Sequence, residues 1–206
     1  AVSMYCTTDR SEKSVGTSST QGRMSPRNLL TTTVGDELRL ATNFKSRVFG
    51  IALKDRGGIL TAGHSANAAY WFDDSTGNWI SSTYYMNELP GWVNHFNNKR
   101  FIDSLMMKDW NLLYDISKYD QSTADDNEFE KPLRHEKKPV FPHIYKDQVV
   151  KNYYSLRESP YGNTFTIDFA RQLLLSEQLG KSGQADMLCI SLSSTDYIGH
   201  KTGPNS

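Results

Sequence analysis

Cysteine is nearly absent. Only Cys6 and Cys189 occur in 206 residues, and Cys189 sits in the apolar run Met187-Leu188-Cys189-Ile190. A buried free thiol is the expected state there, and a disulfide is not expected. No apolar run approaches the roughly 20 residues of a membrane span. The beginning of the chain has neither a basic n-region nor an apolar h-region. It also lacks an initiator Met, and Gly203-Pro204-Asn205-Ser206 starts like a helix that does not continue. Both ends therefore read as cuts, which leaves room for a signal peptide before Ala1. Net charge is absent too: 23 Lys plus Arg balance 23 Asp plus Glu, so nothing draws the whole chain toward nucleic acid or an anionic membrane. Any anion site must be local. The chain has no Walker loop, dinucleotide glycine pattern, G-x-S-x-G elbow, internal repeat or low-complexity tract.

What is present suits one compact domain: 37% of residues are apolar, and the length leaves little for a second core. The aromatic share of 12%, with 11 Tyr and 4 Trp, suggests aromatic surface on loops or an insertion. Residues 1–24 are polar and aperiodic and read as an arm. A helix is expected from Ser25 as N-cap and Pro26 at the first helical position, because Leu30, Val34, Leu38 and Ala41 then share a face; it ends near Asn43. Residues 47–53 read as a buried parallel strand, terminated by Lys54-Asp55-Arg56-Gly57-Gly58. Tyr70-Trp71-Phe72 and Trp79-Ile80 flank a turn-rich link and predict a hairpin. Trp92, Val93 and Phe96 predict an amphipathic helix after Pro90. Residues 108–160 read as a loop-rich insertion or cap. A helix of four to five turns is expected from Asn163 as N-cap to Gly180, with a buried strand after it over 185–192. Two helix-to-strand units of this kind point to an α/β sheet.

In such a sheet, ligands bind beyond the carboxyl ends of the strands. Two polar clusters occupy that position. Asp196 and His200, four residues apart, can direct an oxygen and a nitrogen at one cation across a single turn, with Gly199 clearing space. The bare spacing is common by chance, and its bland alternative is a solvated Asp beside a surface His. Lys54 and Arg56, two apart, can clamp a phosphoryl oxygen with a point charge and a planar fork; the alternative is a charged turn in which Asp55 pairs one of them. His64, His95, His135 and His143 have no partner at metal spacing and are expected to be structural or exposed. No nucleophile is visible.

Asp196-Tyr197-Ile198-Gly199-His200-Lys201-Thr202-Gly203-Pro204 resembles the D-x-x-G-H-x-x-G-P motif of the nucleotide pyrophosphatase/phosphodiesterase branch of the alkaline phosphatase superfamily. Residues 53–57, 25–29 and 70–73 resemble the PafA-type, phosphate-irrepressible alkaline phosphatases, and the resemblance runs along essentially the whole chain. It implies an alkaline-phosphatase-like α/β/α sandwich, in which residues 1–206 form a single central segment with an aromatic-rich cap. It further implies two zinc ions, one held by Asp196 and His200, and phosphoryl contacts from Lys54 and Arg56. The implied reaction is phosphate monoester hydrolysis through a covalent phosphoenzyme formed on a Thr or Ser. That nucleophile, its neighbouring Asn and the first metal-binding Asp should precede Ala1; an Asp-His pair and a final His should come after Ser206. With two of the three protein ligands typical of catalytic zinc, the chain alone is expected to bind the metal weakly and to be inactive. Small phosphate esters are the expected partners, without nucleic acid or membrane, in a periplasmic or secreted monomer. A phosphodiesterase or nucleotide pyrophosphatase, and a noncatalytic binding or scaffold module, remain as alternatives.

Overall fold

The structure is a computed structural model and describes residues 4–133, 136–145 and 153–203. Strands β1 (Ser14–Val15), β2 (Val48–Ala52), β3 (Ala68–Asp73), β4 (Asn78–Ser82) and β5 (Met187–Ser191) form one sheet in the order β1-β4-β3-β2-β5. β2 runs parallel to both β3 and β5, with Gly50 opposite Ala69 on one side and Cys189 on the other. β3 and β4 form the expected hairpin, and β1 extends it antiparallel. The helices are α1 (Val34–Ala41), α2 (Asp55–Ala62), α3 (Gly91–Asn98), α4 (Phe101–Met106), α5 (Pro160–Ser176) and α6 (Ser194–Thr202). No helix among the described residues is long and apolar enough to cross a membrane.

Strand alternation sends Phe49, Ile51, Tyr70, Phe72 and Trp79 to one face, where Phe165, Phe169 and Leu173 of α5 meet them together with α3 and α4. Trp79 stacks on Phe169, with ring centroids 4.5 Å apart, and on Phe165 at 5.4 Å. Ala69, Trp71 and Ile80 face the other way, against Ile59 of α2. Helices thus cover both faces, as an α/β/α arrangement requires.

Several boundaries differ from the sequence reading. The first helix begins at Val34, because Thr33 and Asp36 form a reciprocal capping box. Ser25 is instead buried and donates to Asp9 Oδ2 at 2.7 Å; Leu30 is 97% exposed and contributes no apolar face. Residues 54–58 do not merely end β2, since Asp55 begins α2 directly. α5 starts at Pro160, three residues before Asn163, whose side-chain oxygen accepts from the Ser194 N–H at 3.1 Å and so caps α6. β5 is an edge strand and only partly buried, with Ile190 exposed. Cys6 is exposed and Cys189 half-buried; both are free thiols. His135 and Pro204 lie outside the described residues.

The two glycines that suggest a terminator let α2 lie directly on β2. A Cβ on Gly50 would stand 2.0 Å from the Gly58 carbonyl oxygen and 2.9 Å from the Ala62 Cβ, and one on Gly57 would stand 3.0 Å from the Ala52 Cβ. We expect Gly50→Ala to lower stability by about 1–3 kcal/mol through overpacking. Gly91→Ala, at a site with nothing within 4 Å of the added Cβ, should be neutral or slightly stabilising. Urea unfolding of both variants checks this, and equal midpoints would contradict it.

Carboxylates held by hydrogen bonds fasten loops: Asp36 ties the start of α1 to the turn after α2, and Asp186 ties the approach to β5 to that of β2. Burial raises the Asp36 pKa, but bonds from the Ser65 N–H and hydroxyl and from the Thr33 and His64 N–H groups outweigh it and hold the carboxyl well below its ordinary range. Asp186 is likewise held low, against its burial, by Arg47 and the Gly180 N–H. A pKa depressed on folding contributes stability above the unfolded value of about 3.9 and loses it as pH falls through the folded value. The urea midpoint should therefore be nearly level from neutral pH to about 5 and fall below about 4. Asp36→Asn should flatten that acid decline, measured as the midpoint against pH.

Candidate active site at the carboxyl ends of β2 and β5

Because β2 and β5 are parallel neighbours with Ala52 opposite Ser191, the segments leaving them emerge side by side. Lys54 is the N-cap of α2, two residues beyond β2. Asp196 lies in the first turn of α6, which starts soon after β5. The structure joins them: the Lys54 ammonium donates to Asp196 Oδ2, across 142 residues of sequence. The other carboxylate oxygen lies 3.4 Å from His200 Nε2. Lys54 lowers the Asp196 pKa through that bond. The Asp196 and His200 side chains are 51% and 78% exposed, so both present donor atoms to solvent.

Arg56 lies two residues beyond Lys54 and is exposed. Its guanidinium donates to the Tyr5 hydroxyl at 3.0 Å. Asp55 does not occupy either cation as the charged-turn alternative would have it. Its two oxygens accept from Tyr5 at 2.7 Å and Thr7 at 2.6 Å. Burial, then the bond to Asp55, raises the Tyr5 pKa, so the phenol stays protonated and can make both bonds. The N-terminal arm thus fastens the start of α2, a role its polar, aperiodic sequence does not signal. Beneath the site lies Arg157, 6% exposed, with Tyr197 between it and Lys54. No sequence pattern marks out either residue for this place. Of the other histidines, His64 meets the Leu29 carbonyl at 3.0 Å, buried His143 pairs with Glu136 at 2.9 Å, and His95 is exposed.

No family model matches the chain. Curated relatives do. Alkaline phosphatase PhoV of Synechococcus elongatus is 52% identical over 98% of this chain and 37% of its own length. A protein of Myroides odoratus named calcium-transporting ATPase is 51% identical over 98% of this chain and 38% of its own. Alkaline phosphatase PafA of Elizabethkingia meningoseptica is 48% identical over 99% and 38%. The crystal structure of wild-type PafA superposes with a TM-score of 0.96 at 46% identity, over 98% of this chain and 39% of that one. A second PafA structure, with a TM-score of 0.94, carries four substitutions, among them a lysine and an arginine two positions apart, each changed to alanine. The chain matches a segment of the PafA-type alkaline phosphatases. It spans under two-fifths of the length of these relatives, with the fold those phosphatases have over the matched region.

The metal dependence general to alkaline phosphatases can be tested against the donors present. A carboxylate and an imidazole converging from consecutive turns suit a zinc ion chemically. They make up part of a site: among the described residues, no three His, Cys, Asp or Glu side chains gather where they could hold a metal.

Proposed function

We propose that the protein containing this segment hydrolyses phosphate monoesters, with Lys54 and Arg56 contacting the phosphoryl oxygens and Asp196 and His200 holding one of two zinc ions. What carries this reading is the meeting of Lys54 and Asp196 at the carboxyl ends of neighbouring parallel strands. The lysine and arginine replaced together in the PafA variant have the same spacing as Lys54 and Arg56, which supports treating the two cations as a unit.

Lys54 brings a point charge, steadied by the face of Tyr197 4.4 Å below its nitrogen. Arg56 offers a planar fork that matches two phosphoryl oxygens. Set in place before substrate arrives, both stabilise the charge that spreads over those oxygens during transfer. The Asp196 and His200 side chains are largely exposed, which leaves them open to a cation. Zinc, when bound, supplies Lewis-acid charge and a water acidic enough to ionise near neutral pH. The nucleophile of a covalent phosphoenzyme and the remaining ligands would come from the parts of the relatives that this chain does not span. Placement in the periplasm or outside the cell, in a monomer, belongs to the same reading and is supported by the family resemblance. The Myroides relative's name adds ATP, a phosphoanhydride, to the substrates worth testing.

In the full-length protein, an aryl phosphate monoester should be cleaved in preference to a methyl aryl diester. Lys54→Ala and Arg56→Ala should each lower monoester kcat/KM by about a hundredfold or more. Preference for the diester would shift the assignment to a phosphodiesterase; no hydrolysis of either ester would leave a binding or scaffold module.

The 206-residue chain alone should hydrolyse neither ester and should bind zinc more weakly than micromolar by titration calorimetry, as two protein ligands imply. Stoichiometric zinc at submicromolar affinity, or turnover above blank, would refute this.

A further inference from the structure

We propose that Arg157 and Tyr197 are positioning residues for the phosphoryl site, holding the turn that carries Lys54 and the helix that carries Asp196 in one fixed relation. This inference rests on the phosphate-site reading above. Arg157 lies in a short 3-10 turn at Tyr154–Glu158, just before α5, and its side chain is buried under the carboxyl ends of the sheet. Its guanidinium bonds at the ends of β2 and β3 and to the helix after β5. Nη1 donates to the Leu53 carbonyl, the residue before Lys54, at 2.5 Å and to the Tyr197 hydroxyl at 3.2 Å. Nη2 donates to the Phe72 carbonyl near the end of β3 at 3.1 Å, and Nε to Asp74 Oδ1 at 2.6 Å.

A charge taken so far out of water needs compensation. Burial by itself would lower the Arg157 pKa, but the Asp74 carboxylate offsets this and holds it raised. The fork is therefore fixed at one end by Asp74 and reads out the positions of two carbonyls and one phenol. Lysine, with a single nitrogen at its tip, cannot make that set.

Tyr197 completes the link. It directly follows Asp196, and its ring lies between two cations, with the Lys54 nitrogen 4.4 Å and the Arg157 guanidinium carbon 5.7 Å from its centroid. Tyr154 packs edge-on against the same ring at 6.1 Å. The phenol anchored on Arg157 thus fixes the tilt of the ring, the ring seats the Lys54 ammonium, and the same residue sets the phase of the helix from which Asp196 projects. Neither Arg157 nor Tyr197 need touch substrate for this.

The test uses the 206-residue chain, wild type, Arg157→Lys, Tyr197→Phe and Asp36→Asn, the last lowering stability from the far end of α2 as a control. Two readouts are taken by NMR at constant ionic strength: the ring-current shift of the Lys54 ε-methylene, and the dissociation constant of inorganic phosphate from the amide shifts of residues 54–58. Both positioning variants should lose much of the ring-current shift. Arg157→Lys should weaken phosphate binding about tenfold and Tyr197→Phe about threefold, because the first disrupts several charge-assisted bonds at once and the second removes only the longest of them. Asp36→Asn should change neither readout, although its unfolding midpoint falls.

Unchanged Lys54 shifts and phosphate binding in folded Arg157→Lys and Tyr197→Phe would overturn the positioning role while leaving the phosphate site standing. Equal weakening in Asp36→Asn would overturn it as a general effect of lost stability. A wild-type chain whose residues 54–58 do not respond to phosphate would show that Lys54 and Arg56 are not set for a phosphoryl group within this chain and would overturn the positioning role, while hydrolysis by the full-length protein is decided separately by the ester assays.

Discussion

The parallel pairing of β2 with β5 is the constraint on which the rest depends. Residues 48–52 and 187–191 are far apart in the chain, and register between them decides which residues meet beyond the sheet. A shift of one residue would invert every side chain of β5 relative to β2. In the observed register both strands end together, and the polar side chains beyond each fall beside one another. The N-terminal ends are fixed independently: Asp186 accepts from the Arg47 N–H at 2.8 Å and from its guanidinium at 2.7 Å. An ion pair with a buried carboxylate at one end of the two strands thus sets the register, and the candidate site at the other end inherits it.

The elements legible in the sequence are those whose burial follows a simple pattern, a continuous apolar run or a helical period. β2, the β3–β4 hairpin and α3 belong here, because β2 is a short apolar run buried throughout, the hairpin's aromatic runs flank a turn-rich link, and α3 repeats its apolar residues at helix spacing after Pro90. Periodicity misleads where tertiary chemistry overrides it. Pro26 after Ser25 imitates a helix start, yet the Ser25 side chain is used to bind Asp9, and the chain waits for the Thr33–Asp36 box. Gly57-Gly58 imitates a stop, yet the missing side chains are what allow a helix to touch the backbone of β2. In both places local propensity suggests one use for the residue and a tertiary contact imposes another. Asn163 is the same lesson in reverse, a capping residue that caps α6 rather than α5.

For the candidate site, the residues that would touch ligand are visible in the sequence and those that arrange them are not. Asp196 and His200 stand in a nine-residue pattern, and Lys54 and Arg56 come just after a strand, so position and chemistry coincide. Tyr5 and Thr7 belong to an arm with no periodicity, and Arg157 lies in a short 3-10 turn after a sequence stretch with weak periodicity. Their partners are largely main-chain carbonyls and side chains tens of residues away, and single-chain spacing carries no trace of such partners.

The division matters for how the site keeps its shape. Lys54 and Asp196 are in contact, but Asp196 is well exposed, and an ion pair open to water contributes little and weakens further in salt. Such a pair reports the proximity of two elements; it cannot enforce it. It should also yield readily, because a cation taking up Asp196 and a phosphoryl group taking up Lys54 would each replace one partner of the pair with another of the same charge. Enforcement has to come from groups that water does not reach. Arg157, bonded at once to the segment before Lys54 and to the residue after Asp196, meets that requirement. A soft pair at the surface above a stiff network below would let Lys54 and Asp196 change partners during turnover while the distance between their backbones stays constant.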